Sequence, residues 1–431
     1  MSEVICLGSV NHALDRIEAL LEKTYSSNSS VHGWYHRLES EIPGPTATAL
    51  GLYFFVRRRS EFRHTADALG FLKAKQVKAN LAELDGGWPI NTSYSMPVVE
   101  STAWVARLLG SPGLGLRKEC PSSAAAFRWL QLNQNSDGGW GSLKNQPSRV
   151  YLTALAIRAL AALNPIGDEI TREGVRWLLA RRDTTSGAWG VTPTSRPTVM
   201  HTAAALLAIA EARVPISVSL DQSYDWMLEH LEPSSLWDSL STTESYNVEA
   251  ITSGQSVTWH NSLPHYATPF AIQALLVRDP ARFPMKGATA LKTVLDKQLP
   301  SGNWQNVEGG EEPSIWNVWP FAEALFTFQE TYGQAQDRKV IWKDSIVVTS
   351  SMQSTELQIA RAFKETAAHR VGVVALRSWA LILLVVFVAV GATLSVMHVI
   401  EWKDFGLSLV FPIALFGIQE ASKKRRDRPN D

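Results

Sequence analysis

The 431-residue chain has little cysteine, no excess of either charge and no basic, apolar leader at its start. Its two cysteines, Cys6 and Cys120, lie far apart in sequence, which argues against a disulfide framework or a cysteine zinc cluster and fits a reducing compartment. Forty-one lysines and arginines balance 41 aspartates and glutamates, so no net charge draws the chain to nucleic acid. Segment 1–23 mixes charged and apolar residues at helical spacing and lacks the pattern of a signal peptide.

Two apolar segments near the C-terminus predict a membrane anchor. Segment 378–400 has no acidic or basic side chain except His398, and as a helix it would reach roughly 34 Å, enough to cross a bilayer core. Segment 405–418 is shorter, and basic residues flank the pair on both sides. A hairpin would place both flanks on one side, which the positive-inside rule makes cytoplasmic. The alternative is a buried core helix.

A glycine–tryptophan signal recurs roughly every 50 residues over the first three-quarters of the chain. An apolar helical segment precedes and follows each signal, and a Thr-Ala pair opens the second segment in four of the six units. The fifth unit is the weakest, because it reads Ser235-Leu236-Trp237 without glycine. The tryptophans of the six units are Trp34, Trp88, Trp140, Trp189, Trp237 and Trp304.

Six helix pairs of this kind can curve until the last pair meets the first. The pattern therefore predicts an all-α fold: an α6/α6 toroid over residues 1–332, with the more apolar second helices as its inner ring. A helical linker is predicted for 333–370, and the membrane anchor for 371–431.

The repeats resemble the QW repeats of the terpenoid cyclase and protein prenyltransferase superfamily. Trp129 with Gln134 and Gly138-x-Trp140 matches that repeat, and so does Gln298 with Gly302-x-Trp304. The fourth unit differs in having Arg182 where glutamine is expected. The resemblance implies a toroid whose central cavity is apolar and accommodates isoprenoid chains.

A class II cyclase of this superfamily carries an Asp-x-Asp-Asp motif directly before such a Thr-Ala pair, because protonating an alkene requires a strong, well-placed acid. Here Glu100 is the only acidic residue of that stretch, and Val98 and Ser101 replace the two supporting aspartates. Glu100 is therefore the candidate proton donor, or a ligand for a cationic group. The candidate cavity residues around it are Tyr151, His201, Tyr266, Trp316 and Trp104. The alternative interpretation is that Glu100 caps its helix and that the aromatic residues only pack.

No cofactor or metal is expected, because no cysteine falls on an inner helix and the histidines lack ligand spacing. The insertion 235–262 in the fifth unit is rich in Ser, Thr and Asn and lies where a lid would lie. The basic run Arg57-Arg58-Arg59 is either a solvated surface or a contact for phosphate or an anionic bilayer.

Two functions follow from these features. The first is a sensing or effector module, with the toroid on the cytoplasmic side of a membrane, the inner membrane if the source is bacterial. It would bind an apolar or isoprenoid-like ligand or a protein, associate with the lipid bilayer, and form a homo-oligomer through its hairpin; a bacterial defence protein would fit this layout. The second is a divergent terpenoid or squalene-type cyclase that uses Glu100 as its acid.

Overall fold

The computed structural model describes residues 3–28, 31–38, 43–90, 96–114, 120–164, 168–249, 256–279, 283–332, 340–341 and 346–349. Within these residues the α-helices are α1 Leu7–Thr24, α2 Pro45–Arg58, α3 Thr65–Lys75, α4 Val99–Leu109, α5 Pro121–Leu132, α6 Val150–Leu163, α7 Glu169–Ala180, α8 Val199–Ala212, α9 Asp221–Glu229, α10 Ala267–Arg278, α11 Met285–Asp296 and α12 Trp319–Tyr332.

The even-numbered helices form a closed inner ring. Helices α2, α4, α6, α8, α10 and α12 each pack against the next, and α12 packs against α2. The inner helices are far more buried than the outer ones: every residue of α4 is buried, whereas α3 buries only Ala68, Phe71 and Leu72. The α6/α6 toroid predicted from the repeats is therefore confirmed, and the more apolar helices do form its inside.

The glycine–tryptophan signal forms the corner between an outer and an inner helix. In the third repeat the backbone N–H of Trp140 donates to the Thr153 hydroxyl over 2.9 Å, and its indole N–H donates to the Leu130 carbonyl, also over 2.9 Å. Gly138 has a φ of +90°, a conformation that glycine adopts without steric cost. The recurring threonine thus marks the residue that pairs with the corner tryptophan.

The glutamine of the repeat joins one helix pair to the next. Gln134 Nε2 donates to the carbonyls of Gly138, at 2.8 Å, and Ile170, at 3.1 Å, so it spans the third and fourth repeats. Gln298 likewise donates to Ala13 of the first repeat over 3.0 Å. Ring closure is therefore hydrogen-bonded on the outside as well as packed on the inside.

The fifth corner departs from this pattern. Leu231 precedes its turn at the position that Gln134 holds in the third repeat, and Ser235 takes the glycine position with a φ of +62°. A left-handed conformation is uncommon for serine. The corner tryptophan keeps its usual contact: the Trp237 backbone N–H donates to the Thr268 hydroxyl over 2.9 Å.

The described residues also contain strands, so the prediction of an all-α fold is incomplete. The strands are β1 Glu3–Cys6, β2 Ser26–Asn28, β3 Val31–Gly33, β4 Leu240–Glu249, β5 Ser256–His265, β6 Val340–Ile341 and β7 Ile346–Thr349. Strand β7 pairs parallel with β1 and antiparallel with β6. Both β6 and β7 lie in the segment expected to be a helical linker, and their β-branched residues favour strands.

The insertion in the fifth repeat is an antiparallel hairpin. Strands β4 and β5 pair over their full lengths, from Leu240 opposite His265 to Glu249 opposite Ser256. Among the described residues no helix is long and apolar enough to cross a bilayer. The predicted membrane segments 378–400 and 405–418 lie outside the described residues.

Candidate ligand site at the toroid mouth

All inner helices begin at one end of the lumen, here called the mouth, and end at the other, called the floor. A cavity of about 10 Å³ lies at the mouth, which is room for about one water molecule. Its lining residues are Glu100, Trp104, Tyr151, Met200, Pro264, His265, Phe270, Trp316 and Pro320. Side chains therefore leave little space in this cavity.

Glu100 lies in the first turn of α4 and is only 5% exposed. The helix N-terminus favours a negative charge there. Burial raises the pKa of Tyr151 well above its usual value, and the charge of Glu100 adds to that shift. The next residue, Ser101, hydrogen-bonds the carbonyl of Pro89 over 2.9 Å and pairs with the Thr46 hydroxyl. Ser101, which stands where a class II cyclase has a supporting aspartate, therefore forms hydrogen bonds with uncharged groups.

Four of the six residues that sequence analysis singled out border this cavity: Glu100, Trp104, Tyr151 and Trp316. The indole N–H of Trp316 donates to His36 Nδ1 over 2.9 Å, and the two rings stack. Burial lowers the pKa of His36 to about 4, although a hydrogen bond with the Ile90 backbone opposes this. Sequence reasoning missed His36, because no repeat position marks it.

His201 lies behind the cavity rather than in its lining. Its Nδ1 is 2.8 Å from the Thr198 hydroxyl, and its ring centroid is 4.8 Å from that of His265. Burial, and to a smaller extent the neighbouring His265, lowers the pKa of His201 well below its usual value. Burial also lowers the pKa of His265 to about 4. The mouth therefore holds a neutral histidine pair, contributed by α8 and the base of β5.

Tyr266 faces away from the central cavity. It borders a separate groove of about 320 Å³ between the corners of the fifth and sixth repeats, together with Trp237, Trp304 and Phe321. Burial raises the pKa of its phenol, while a hydrogen bond from the Val307 backbone opposes the shift. The groove lies at the junction that lacks both the bridging glutamine and the corner glycine.

A charged cluster, missed by sequence analysis, lies deeper in the lumen than the mouth cavity, toward the floor. It consists of Arg57, Arg107, Arg158, Glu211 and Glu323 and is called the floor cluster. Glu323 Oε1 on α12 is 2.8 Å from Arg107 Nη2 on α4 and 3.2 Å from Arg158 Nη2 on α6. Arg158 also pairs with Glu211 of α8 over 2.7 Å. The cluster ties together helices from across the ring.

Glu323 is the centre of the floor cluster, with only 1% of its surface exposed. Burial alone would raise its pKa, but Arg107, Arg158 and Arg57 outweigh burial and lower the pKa to about 2. Arg57 also pairs with Glu330 over 2.9 Å, and the neighbouring Arg58 pairs with Asp15 and Glu18. These two arginines of the basic run are thus engaged in ion pairs within the toroid.

Among the described residues no group of three or more His, Cys, Asp or Glu side chains is placed to hold a metal ion. The chemistry available at the mouth is that of a single buried carboxylate, one phenol, neutral imidazoles and aromatic faces. Such a set can bind an apolar or weakly polar group and hold one proton.

Known structures show the same architecture. Over 75% of its length this chain aligns with 99% of the type II terpene cyclase MstE from Scytonema, at a TM-score of 0.51 and 15% identity. A variant of MstE in complex with geranylgeranyl dihydroxybenzoate, its substrate, aligns with the same coverage, score and identity. These structures establish that the described part of the chain has the fold of the terpenoid cyclase toroids.

Sequence comparison adds one curated relative and no family model. The relative is a terpene cyclase–glycosyl transferase fusion protein of Humicola fuscoatra, 31% identical over 126 residues. The match covers 27% of this chain and only 9% of that much longer protein. No protein-family model matches the chain.

Proposed function

We propose that the toroid is a binding module for an apolar or isoprenoid-like ligand, with ligand recognition at its mouth and no cyclisation chemistry. The observation that carries this proposal is the combination of an aromatic mouth with a central cavity of about 10 Å³. A cyclase has to enclose its folded substrate chain, and pockets for such ligands typically measure about 300–1,000 Å³. The geometry therefore fits a protein that recognises its ligand at the mouth and does not enclose it in the lumen.

The supporting aspartates are also missing. Val98 and Ser101 replace them, and Ser101 is hydrogen-bonded to Pro89 and Thr46. An acid strong enough to protonate an alkene needs neighbours that aim and polarise it. Neither position offers Glu100 a second carboxyl group, and the cavity that Glu100 borders is otherwise lined by aromatic and neutral side chains.

The membrane part of the proposal rests on the apolar segments 378–400 and 405–418. A ligand that partitions into lipid would reach a toroid anchored beside the bilayer, and its binding would be sensed there. Deleting 378–418 and measuring both membrane association and membrane potential on overexpression tests this part. Unchanged association would refute the anchor, and an unchanged potential would refute an effector that breaches the bilayer.

The binding function is tested by extracting the purified full-length protein with organic solvent and identifying co-purified lipid by mass spectrometry. We expect a polyprenyl or similar apolar lipid in the extract. An empty extract, together with no binding of added polyprenyl alcohols, would refute the proposal.

A divergent cyclase is the second candidate, favoured by the burial of Glu100 at the start of α4 beside Tyr151. Wild type and Glu100→Gln are compared on squalene-like and polyprenyl substrates. Turnover that Glu100→Gln abolishes would establish the enzyme, and absence of turnover in both proteins would exclude it for these substrates.

A further inference from the structure

The groove between the fifth and sixth corners, here called the corner groove, is a concave site apart from the mouth cavity. Its volume is about 320 Å³, within the range of about 300–1,000 Å³ that is typical of small-molecule pockets. Tyr266 borders the corner groove, whereas the preceding His265 borders the mouth cavity, and Phe321 and Pro320 divide in the same way. The corner groove is therefore a second candidate site.

The corner hydrogen bonds align the outer helices of all six repeats. Each corner tryptophan donates its indole N–H to a backbone carbonyl near the end of the outer helix before it, over 2.7–2.9 Å. The residues directly before those carbonyl groups are therefore equivalent. In chain order they are Leu20, Phe71, Trp129, Trp177, Trp226 and Thr293. All six lie in described helices, and the sixth repeat has the one small polar side chain of this set.

In the third and fourth repeats this tryptophan covers the preceding corner. A Cβ atom added to Gly87 would lie 2.8 Å from Cε2 of Trp129, and one added to Gly139 would lie 2.8 Å from Cε2 of Trp177. Each indole therefore lies directly against the glycine that precedes a corner tryptophan. Consecutive corners are thus packed together through a ring that the next outer helix provides.

The fifth and sixth corners lack this packing. Leu236 stands at the glycine position, and Thr293 stands at the tryptophan position. The Thr293 hydroxyl donates to the Thr289 carbonyl of its own helix over 2.9 Å. Leu236 borders the corner groove, and so do Val294 and Lys297, which follow Thr293 on α11. The corner groove therefore lies where the earlier repeats place an indole ring.

Aromatic rings line the corner groove. Trp304 and Phe321 stack with their ring centroids 4.5 Å apart, and Tyr266 meets Phe321 edge to face at 5.5 Å. The indole N–H groups of Trp237 and Trp304 already donate to carbonyls of the outer helices. What these residues offer a ligand is therefore ring surface, against which another flat aromatic group packs favourably.

The charges around the corner groove favour a cation. Glu232, Asp238 and Lys297 border the groove and are exposed. Its rim therefore carries two negative charges against one positive charge, and the excess attracts a positively charged ligand. The faces of tryptophan and tyrosine rings also attract cations.

We infer that the corner groove binds a small organic cation that carries a flat aromatic ring, such as an arylalkylamine. The ring of this ligand takes the place that tryptophan holds between the earlier corners, and its ammonium group lies toward the carboxylates of Glu232 and Asp238. The site is additional to the proposed ligand site at the mouth and does not depend on it.

Isothermal titration calorimetry with tryptamine and the full-length protein tests this inference. The double variant Leu236→Gly/Thr293→Trp restores the glycine–tryptophan pair and places the protein's own indole in the groove. Leu236→Gly/Lys292→Trp is the matched control, because it puts the tryptophan at an exposed position of α11 that does not border the groove. We expect the first variant to bind tryptamine at least about tenfold more weakly than the control.

Two further probes test the preference for a cation. 3-Methylindole lacks the amine, and indole-3-propionate carries a carboxylate in its place. Tryptamine should bind up to about fivefold more tightly than 3-methylindole, because exposed charges attract each other only weakly in water. Indole-3-propionate should bind most weakly. Tighter binding of indole-3-propionate than of tryptamine would overturn the preference for a cation.

Hydrogen–deuterium exchange of the wild-type protein supplies a readout that needs no variant. Tryptamine should slow exchange in 232–239 and 294–307, and protection confined to other segments would overturn the inference. Equal affinity of the two variants, which circular dichroism melting curves must show to be folded, would also overturn it. A wild type that does not bind tryptamine would do the same and leave the function at the mouth standing.

Sedimentation velocity distinguishes a second possible occupant. If the wild type is a dimer that Leu236→Gly/Thr293→Trp converts to a monomer, while the control stays dimeric, a side chain of a second copy occupies the corner groove. That result would overturn the assignment to a small ligand. An unchanged oligomeric state, together with the expected loss of tryptamine binding, would support it.

Discussion

At the mouth of the toroid the inner helices begin among aromatic rings and neutral histidines, whereas deeper in the lumen they carry paired charges. The two levels of the lumen are built by different means. The mouth is filled by side-chain volume around a cavity of about 10 Å³. Deeper in the lumen, arginines from three other inner helices surround Glu323. The proposed ligand recognition at the mouth would therefore leave the ion pairs of the floor cluster in place.

Among the changes that remove a polar contact, removing the central charge of the floor cluster should have the largest effect. Glu323→Ala leaves Arg107 and Arg158 buried without their main partner, and breaking a buried ion pair costs about 3–5 kcal/mol. The free energy of unfolding, measured by urea denaturation, should fall by that amount. Glu330→Ala is the matched control, because its side chain is 57% exposed, and its loss should cost about 1 kcal/mol or less. Equal losses in the two variants would show that the floor does not depend on burial.

Acid should loosen the mouth before the floor. The three mouth histidines have folded pKa values below the unfolded value of 6.5, so the unfolded state binds more protons as the pH falls. Stability then declines from about pH 6.5 downward, by up to about 1.4 kcal/mol per pH unit for each histidine. Glu323 has a lowered folded pKa, of about 2 against 4.5, so its contribution is complete above pH 4.5 and is lost only between pH 4.5 and 2.

This order can be measured by hydrogen exchange between pH 7 and 5, corrected for the intrinsic pH dependence of exchange. Protection should fall first at the start of α8 and the base of β5, while the part of α12 around Glu323 stays protected. His265→Gln should reduce the pH dependence at the mouth. If α12 loses protection first, the two ends do not differ as proposed.

The repeated features could be predicted from the sequence because they are local. The corner tryptophan and its threonine lie 13 residues apart in the third repeat, and the same short pattern recurs along the chain. The floor could not be predicted in this way, since Arg107 and Glu323 are 216 residues apart and meet only when the ring closes. One signal was available in the sequence, because Arg107, Arg158 and Glu323 are charged residues within mostly apolar inner helices.

The candidate site was predictable in part. The position of Glu100 in its repeat indicates other mouth residues, such as Tyr151 and Trp316, because equivalent positions of inner helices meet at one level of the ring. Tyr266 occupies an equivalent position but faces the groove at the altered fifth corner. His265 enters the mouth from an inserted hairpin, which no repeat pattern describes. The membrane segments remain a prediction from hydropathy alone.

A corner hydrogen bond at the mouth end should matter less than the floor charge. Thr153→Val keeps the shape of the side chain but leaves the buried N–H of Trp140 without its 2.9 Å partner. An unpaired buried donor costs about 1–3 kcal/mol, to be read from urea denaturation. Thr194→Val on the exposed turn of the fourth repeat is the control and should change stability by about 0.5 kcal/mol or less. A loss as large as that of Glu323→Ala would remove the distinction between the two ends.

The smallest effect is expected at the cavity itself. Tyr151→Phe removes one hydroxyl beside Glu100 and preserves the ring that packs against His265 and Phe270. Because ring packing is retained, the free energy of unfolding should change by less than about 1 kcal/mol, measured by the same urea denaturation. Phe270→Ala is the control, because it removes a ring from the same cavity wall. It should lower the free energy of unfolding by about 3–5 kcal/mol, which shows how strongly the mouth depends on side-chain volume. Equal destabilisation by Tyr151→Phe and Phe270→Ala would mean that polar contacts stabilise the mouth, as they stabilise the floor cluster. The contrast between packing in one place and charge in the other would then be wrong.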